Sequence, residues 1–195
     1  TAPHLYYLAE RKAGYRAVVG VDKAGMKAVI VAPQNSGLRS VQDLRGHRLA
    51  TTDPLALATV LVRSLLLQSG LDPDHDLTLV ATPSHNASLL STYQGTTDAS
   101  GLILPLFLRS RAEIRDGMKI IAETPSVPHM PIAVAPWVPA ARVARLRAAL
   151  LDTAHTEAGR ELLRGLGWPG FAPTRAGDYD DLGWMAEQPF IESPP

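Results

Sequence analysis

Apolar positions along the chain follow two rhythms, one near 3.6 residues and one near 2, and they alternate from the amino end onward. "LYYLAERKA" carries helical spacing, while "YRAVVGV" and "KAVIVAP" have strand character and are expected to pair around the turn "DKAG". "SVQDLRG" predicts a short helix, with Ser40 and Asp43 in a capping-box relation and Gly46 at its end. A strand "RLATT" then leads into a long helix that opens at Asp53 and closes at Gly70. After the turn "LDPDHD" come a strand "LTLVAT", a helix from Ser84 to about Tyr93 stopped by Gly95, and a strand "DASGLIL". Beyond a connector, "KIIAET" and "IAVAP" are predicted strands, followed by helices "AARVARLRAALLDTA" behind Pro139 and "EAGRELLRGL" capped by Thr156. The alternation implies an α/β fold with mostly parallel sheets and flanking helices.

Two of these junctions attract chemistry, because ligands of open α/β sheets sit where strands end and helices begin. One is "RLATT" into the Asp53 helix and the other is "LTLVAT" into the Ser84 helix, and both are expected on one edge of one sheet. Asp53 suits the N-cap and Pro54 the first helical position, where a missing N–H costs nothing. A helix start presents free N–H groups and about half a positive charge, which makes it an anion site. The residues that follow are Leu55, Ala56, Leu57 and Ala58, and none of their side chains can donate a hydrogen bond.

Composition sets bounds on these possibilities. With 195 residues and 46% hydrophobic content, the chain can bury the core of one large domain or two small lobes. Nineteen basic and nineteen acidic residues cancel, so nothing marks it for nucleic acid or an anionic membrane. Cysteine is absent, which removes thiol catalysis, cysteine zinc sites and disulfides together. No apolar run is long enough to insert in a membrane, and the start "TAPHLYYLAERKAGY" lacks a signal-peptide pattern, as in a mature form or a fragment. No metal site and no cofactor are expected: the six histidines show no ligand spacing, and "DPDHD" lacks the glycine and distal glutamate of a calcium loop. Nucleophile elbow, phosphate loop and zinc-helix motifs are all missing. Ser84 and His85, one apart on a helix, point about 100° away from each other and form no dyad. A binding protein rather than an enzyme is expected.

Four ordered segments then carry a resemblance: "NSGLRSVQDLRGHRLATTDP", "GLDPDHDLTLVATPSHNASLLSTYQGTTDAS", "KIIAETPSVPHMPIAV" and "GFAPTRAGDYDDL". Together they resemble the phosphate, phosphite and phosphonate substrate-binding proteins of ABC transporters. The resemblance implies a two-lobed type 2 periplasmic-binding-protein fold, with residues 1–35 and 118–195 in a first lobe and 36–117 in a second. It also implies a small oxyanion or polar small molecule held in an interlobe cleft, an ABC permease as partner, and a periplasmic or otherwise exported setting. A ligand-sensing domain of a signalling protein is the alternative role. Members of the family carry an earlier strand–helix–strand segment, so the first lobe is expected to show an exposed apolar face or a gap in its sheet.

The resemblance also proposes site residues. Phosphonate binders have a Ser-Thr-Ser turn after the Asp-Pro, and here those positions are Ala56, Leu57 and Ala58, which implies a different head group or weakened phosphonate binding. Asp53, Leu55, Ala56 and Leu57 would face the ligand at the first mouth, with Asp53 acting equally well as a plain cap. Ser84, His85 and Asn86 would do so at the second, where Ser84 is also an N-cap and Asn86 replaces an aspartate. A His85 that gains charge near a pKa of about 6.5 would hold an anion more tightly at pH 6 than at pH 8. Glu123 is expected near the hinge or as a solvated strand end, and Asp98 in a turn or in the pocket. Tyr6 and Tyr7 occupy a ligand-facing segment, where adjacent residues are expected to point in different directions with one of them in the core.

Overall fold

The computed structural model describes residues 1–188. Its first elements are α1 (Pro3–Ala13), β1 (Arg16–Val21), β2 (Ala28–Pro33), β3 (Arg48–Thr51), α2 (Leu57–Gln68) and β4 (Thr78–Ala81). Next come α3 (His85–Tyr93), β5 (Ala99–Ile103), α4 (Leu104–Leu108), α5 (Ala112–Arg115) and β6 (Met118–Glu123). The last are β7 (Pro131–Val134), α6 (Ala140–Asp152), α7 (Glu157–Leu166), β8 (Phe171–Pro173) and α8 (Gly183–Ala186). The chain forms two compact units, one of Thr1–Gly25 with Val127–Gln188, the other of Met26–Ser126.

The Met26–Ser126 unit is built on a five-stranded sheet in the order β4-β3-β5-β2-β6. Strand β2, "AVIVAP", is buried along nearly its whole length, as a β-branched run between two covered faces should be. On one face Val29, Val31, Leu102 and Met118 pack with Leu89 of α3 and Phe107 of α4. On the other face lies α2, whose Leu61 and Val62 are fully buried. Gly101 permits this approach: a Cβ there would sit 2.8 Å from a methyl of Val62. The expected short helix near Ser40 is a single 3-10 turn, Gln42–Leu44, and Asp43 Oδ2 accepts from the N–H groups of Arg39 and Ser40, each at 2.9 Å. Those bonds hold the Asp43 carboxyl below the usual carboxylate range.

In the other unit β1 is the centre of a three-stranded sheet, β7-β1-β8, antiparallel on both sides. Val18, Val19 and Val134 form its core, with Val143, Leu150 and Leu151 of α6 packed against them. Thr156 caps α7 as expected, accepting from Gly159 N–H at 3.1 Å. Trp137, Leu146, Leu162 and Leu166 are exposed in this unit.

Two expectations give way. The fold is α/β, but its sheets are mixed: β3 pairs in parallel with β4 and β5, while β2 runs antiparallel to both β5 and β6. Strands β1 and β2 do not pair across "DKAG"; each joins a different sheet, and Asp22 and Lys23 N–H groups bond Gly170 O and Val21 O instead of closing a hairpin. Strand β8 is too short, at three residues, to leave a periodic signal.

Candidate functional site

Strands β3 and β4 pair in parallel from Arg48↔Thr78 to Thr51↔Ala81, so their carboxyl ends coincide. The Thr82 N–H and hydroxyl both donate to Thr51 O, at 2.8 and 2.9 Å, and lock the two ends together. Helix α2 follows β3 and α3 follows β4, so the two helix mouths share one sheet edge, as the strand–helix junctions imply.

The mouth of α2 differs from expectation in its detail. Asp53 is not the cap. Its carboxylate accepts from Leu55 N–H at 2.8 Å and its carbonyl from Ala56 N–H at 2.9 Å, which closes a β-turn with Asp first and Pro54 second, the positions these residues favour. The helix therefore starts three residues later, at Leu57, with Ala56 as an extended N-cap that has no side chain to offer. The N–H groups of Leu57, Ala58 and Thr59 form the first turn, where a helix supplies no acceptor of its own. Leu57 and Ala58 bury their side chains in the core, so hydroxyls at these two positions would not line the mouth; Leu55 and Ala56 are half-exposed and do.

The mouth of α3 is closed by its own residue. Ser84 is extended and its hydroxyl oxygen accepts from Ala87 N–H at 3.1 Å. Asn86 is exposed, and His85 is half-buried with its Nδ1 atom enclosed and unbonded. Burial pushes the His85 pKa down, which works against the gain in anion affinity expected at pH 6.

Glu123 closes β6 and pairs with Lys27 at 3.3 Å, both partly exposed. Because β2 is antiparallel to β5 and β6, the start of β2 and the end of β6 lie at the same edge as the ends of β3 and β5. Asp98 is not with them. It precedes β5 at the amino edge, where Arg48 donates to it from its backbone N–H at 2.8 Å and from its guanidinium at 3.1 Å. That guanidinium holds the Asp98 carboxyl below its ordinary range. Asp98 lines a hollow of about 460 Å³ with Ser36, Asp43, His47 and Thr97, at the opposite end of the strands from Asp53 and Ser84.

Tyr6 and Tyr7 belong to the other unit, and both are buried rather than only one. Tyr6 packs edge-on against Tyr179, accepts from Ala17 N–H at 2.9 Å and donates to Glu10 at 2.5 Å, and burial raises its pKa far above the usual phenol value. Tyr7 donates to Glu187 at 2.8 Å, with the Arg11 guanidinium 4.5 Å above its ring. Each phenol thus serves the packing of α1.

The residues missed in sequence are hydroxyls. Thr59, buried in the first turn of α2, donates to Thr52 O at 3.3 Å, and Ser88, buried in α3, lies 2.6 Å from the Thr82 hydroxyl. Their signal was present as threonines just past two strand ends, each followed six or seven residues later by a helical Ser or Thr.

Among the described residues no helix is long and apolar enough to cross a membrane, and no group of three acidic or histidine side chains is placed to hold a metal ion. Solved structures with the same architecture include a binding protein component of an ABC phosphonate transporter, PA3383 from Pseudomonas aeruginosa, with a TM-score of 0.81 at 15% identity over 96% of this chain and 67% of that one. PhnD1 from Prochlorococcus marinus, solved in complex with methylphosphonate, aligns with a TM-score of 0.78 at 14% identity, covering 93% of this chain and 75% of that one. The periplasmic aliphatic sulphonate binding protein SsuA from Escherichia coli aligns with a TM-score of 0.68 at 18% identity, over 98% of this chain and 73% of that one. These likenesses show the type 2 periplasmic-binding-protein fold. Residues 1–179 match the family described as ABC transporter, phosphonate, periplasmic substrate-binding protein, and the chain therefore belongs to that family, whose members bind solute for import.

Proposed function

We propose that the carboxyl edge of the sheet in the Met26–Ser126 unit receives the head group of a small anionic or polar solute, and that the chain delivers it, without catalysing a reaction on it, to an ABC permease from a periplasmic or exported position. The single observation that carries this reading is the uncapped start of α2, beside the capped start of α3 on the same edge. An oxyanion fits N–H groups that no side chain occupies, and the helix dipole favours it. Among the described residues, the charged side chains of this edge are Asp53, Lys27 and Glu123, the last two paired with each other. With one carboxylate left over and burial disfavouring a charged His85, a singly charged head group is favoured over a doubly charged one. Leu55 and Ala56 give the mouth an apolar lip, which suits a solute with an alkyl substituent.

Calorimetry with methanesulfonate, methylphosphonate, phosphite, inorganic phosphate, sulfate and acetate tests the proposal. Binding at one site, tighter for the singly charged oxyanions than for phosphate at pH 8, supports it. Absence of binding by every member of the panel overturns it.

A further inference from the structure

The two helix mouths are held by a device that neither caps nor core packing explains. Threonines 51 and 52, at the end of β3, are both buried, and each carbonyl is taken by a hydroxyl from the start of the next layer. Thr52 O accepts from the hydroxyl of Thr59, the third residue of α2, at 3.3 Å, while the two hydroxyl oxygens lie 3.5 Å apart. Thr51 O accepts from both the N–H and the hydroxyl of Thr82. Each hydroxyl has one proton to give. The Thr82 hydroxyl lies 2.9 Å from Thr51 O and 3.1 Å from Ser84 O, and with its one proton given to either carbonyl the 2.6 Å contact with Ser88 is made by the Ser88 proton pointing to the Thr82 oxygen. Ser88 is fully buried and lies in the first turn of α3, four residues past its cap.

We infer that Thr59–Thr52 and Ser88–Thr82–Thr51 are paired hydroxyl clasps that fix the direction of the α2 and α3 starts relative to one strand end, making Thr59 and Ser88 positioning residues for solute binding. The inference rests on the reading of this edge as the solute site. Burying a hydroxyl costs less when it is bonded, and an apolar residue of equal size would pack at these positions with no such cost. What the hydroxyl adds is direction: a hydrogen bond weakens steeply as its angle falls, so an N–H row that receives an oxyanion must be aimed. Leu57, Val60 and Leu61 seat one face of α2 by burial, and the clasp adds a directional bond at its first turn.

The test uses Thr59→Val, which keeps shape and removes the hydroxyl, Thr59→Ser, which returns it, and Ser88→Ala. Two measurements are made on each: backbone amide shifts and hydrogen exchange at residues 57–59 and 85–87 without solute, and the affinity for methanesulfonate. Thr59→Val is expected to shift and deprotect the amides of 57–59 while leaving 85–87 unchanged, and to weaken methanesulfonate binding about tenfold, with Thr59→Ser restoring both. Ser88→Ala is expected to disturb 85–87 alone and to weaken binding less. Unchanged amides and unchanged affinity in Thr59→Val overturn the inference. A wild type that takes up no methanesulfonate counts against the solute reading, and the clasps then stand or fall on the amide measurements.

Discussion

Helices α2 and α3 follow two strands whose carboxyl ends are in register, yet they begin their backbones in opposite ways. Helix α3 spends the Ser84 oxygen on its own Ala87 N–H, whereas α2 starts at Ala56 and Leu57 with no side chain able to accept. Capping is worth about 1 kcal/mol, so leaving a 12-residue helix uncapped gives up stability that one substitution would recover. Helices α1 and α6 also start without a side-chain cap, so what sets α2 apart is its place at the carboxyl edge of the sheet. The polar device at the α2 mouth is turned elsewhere: Asp53 closes a turn ahead of the helix, and Thr59 reaches back to the strand. One mouth carries a side-chain cap; the other carries none, and the proposed function assigns it to a solute.

The strongest way to break the comparison is to unseat α2. Gly101→Ala places a methyl 2.8 Å from Val62 and is expected to cost about 1 to 3 kcal/mol, read as a lowered urea midpoint. Val62→Ala in the same chain should return part of that loss, and a double-mutant cycle with no coupling between the two sites would contradict the packing described.

Caps give the next effect. Ser84→Ala is expected to lower stability by about 1 kcal/mol, because Ala87 N–H loses its acceptor, while Asp53→Ala should cost a smaller amount, since it opens a turn and uncaps no helix. Equal losses for the two, measured by thermal unfolding, would mean that Asp53 caps α2 after all.

A smaller effect separates the mouths by pH. Burial lowers the His85 pKa below its unfolded value of about 6.5, so the unfolded chain binds the proton more readily. The stability this contributes is complete above about pH 6.5 and is lost as pH falls through the lowered folded pKa. His129, also lowered by burial, acts in the same direction, while His75, raised by Asp72, acts in the opposite one. The difference between wild type and His85→Gln isolates His85: the wild type should lose more stability between pH 7 and pH 5. Parallel curves would remove the enclosed imidazole with its lowered pKa from the account.

Much of this architecture could be read along the chain. Ser84, Thr156, Gly70 and Gly95 mark helix ends by local chemistry, and local chemistry survives folding unchanged. Pairing partners could not be read so well. The apolar runs at 16–21 and 28–33 look like two arms of a hairpin, but which strand lies beside a run is decided by the whole sheet. The candidate site was legible in position and not in mechanism. "TTDP" announces a helix start, yet the same Asp-Pro serves a β-turn as readily as a cap, and the choice moved the true cap to Ala56. Asp98, which follows Gly95 and precedes a strand, reads as a turn residue or a pocket residue, and the parallel register puts it beside Arg48 at the far edge from the two mouths. Thr59 and Ser88 escaped notice because a hydroxyl inside an apolar helix face gives no period of its own.

The open mouth of α2 is tested most directly by closing it. Ala56→Asp supplies the missing cap in an already extended backbone, and its carboxylate would accept from the same N–H groups that a solute head group would use. Calorimetry with methanesulfonate and methylphosphonate, beside a thermal melt, compares this variant with the wild type. The account predicts a melting temperature higher by about 2 to 4 °C in Ala56→Asp and oxyanion affinity lowered at least about tenfold. Oxyanion binding of equal strength in both proteins, or none in the wild type, would contradict it.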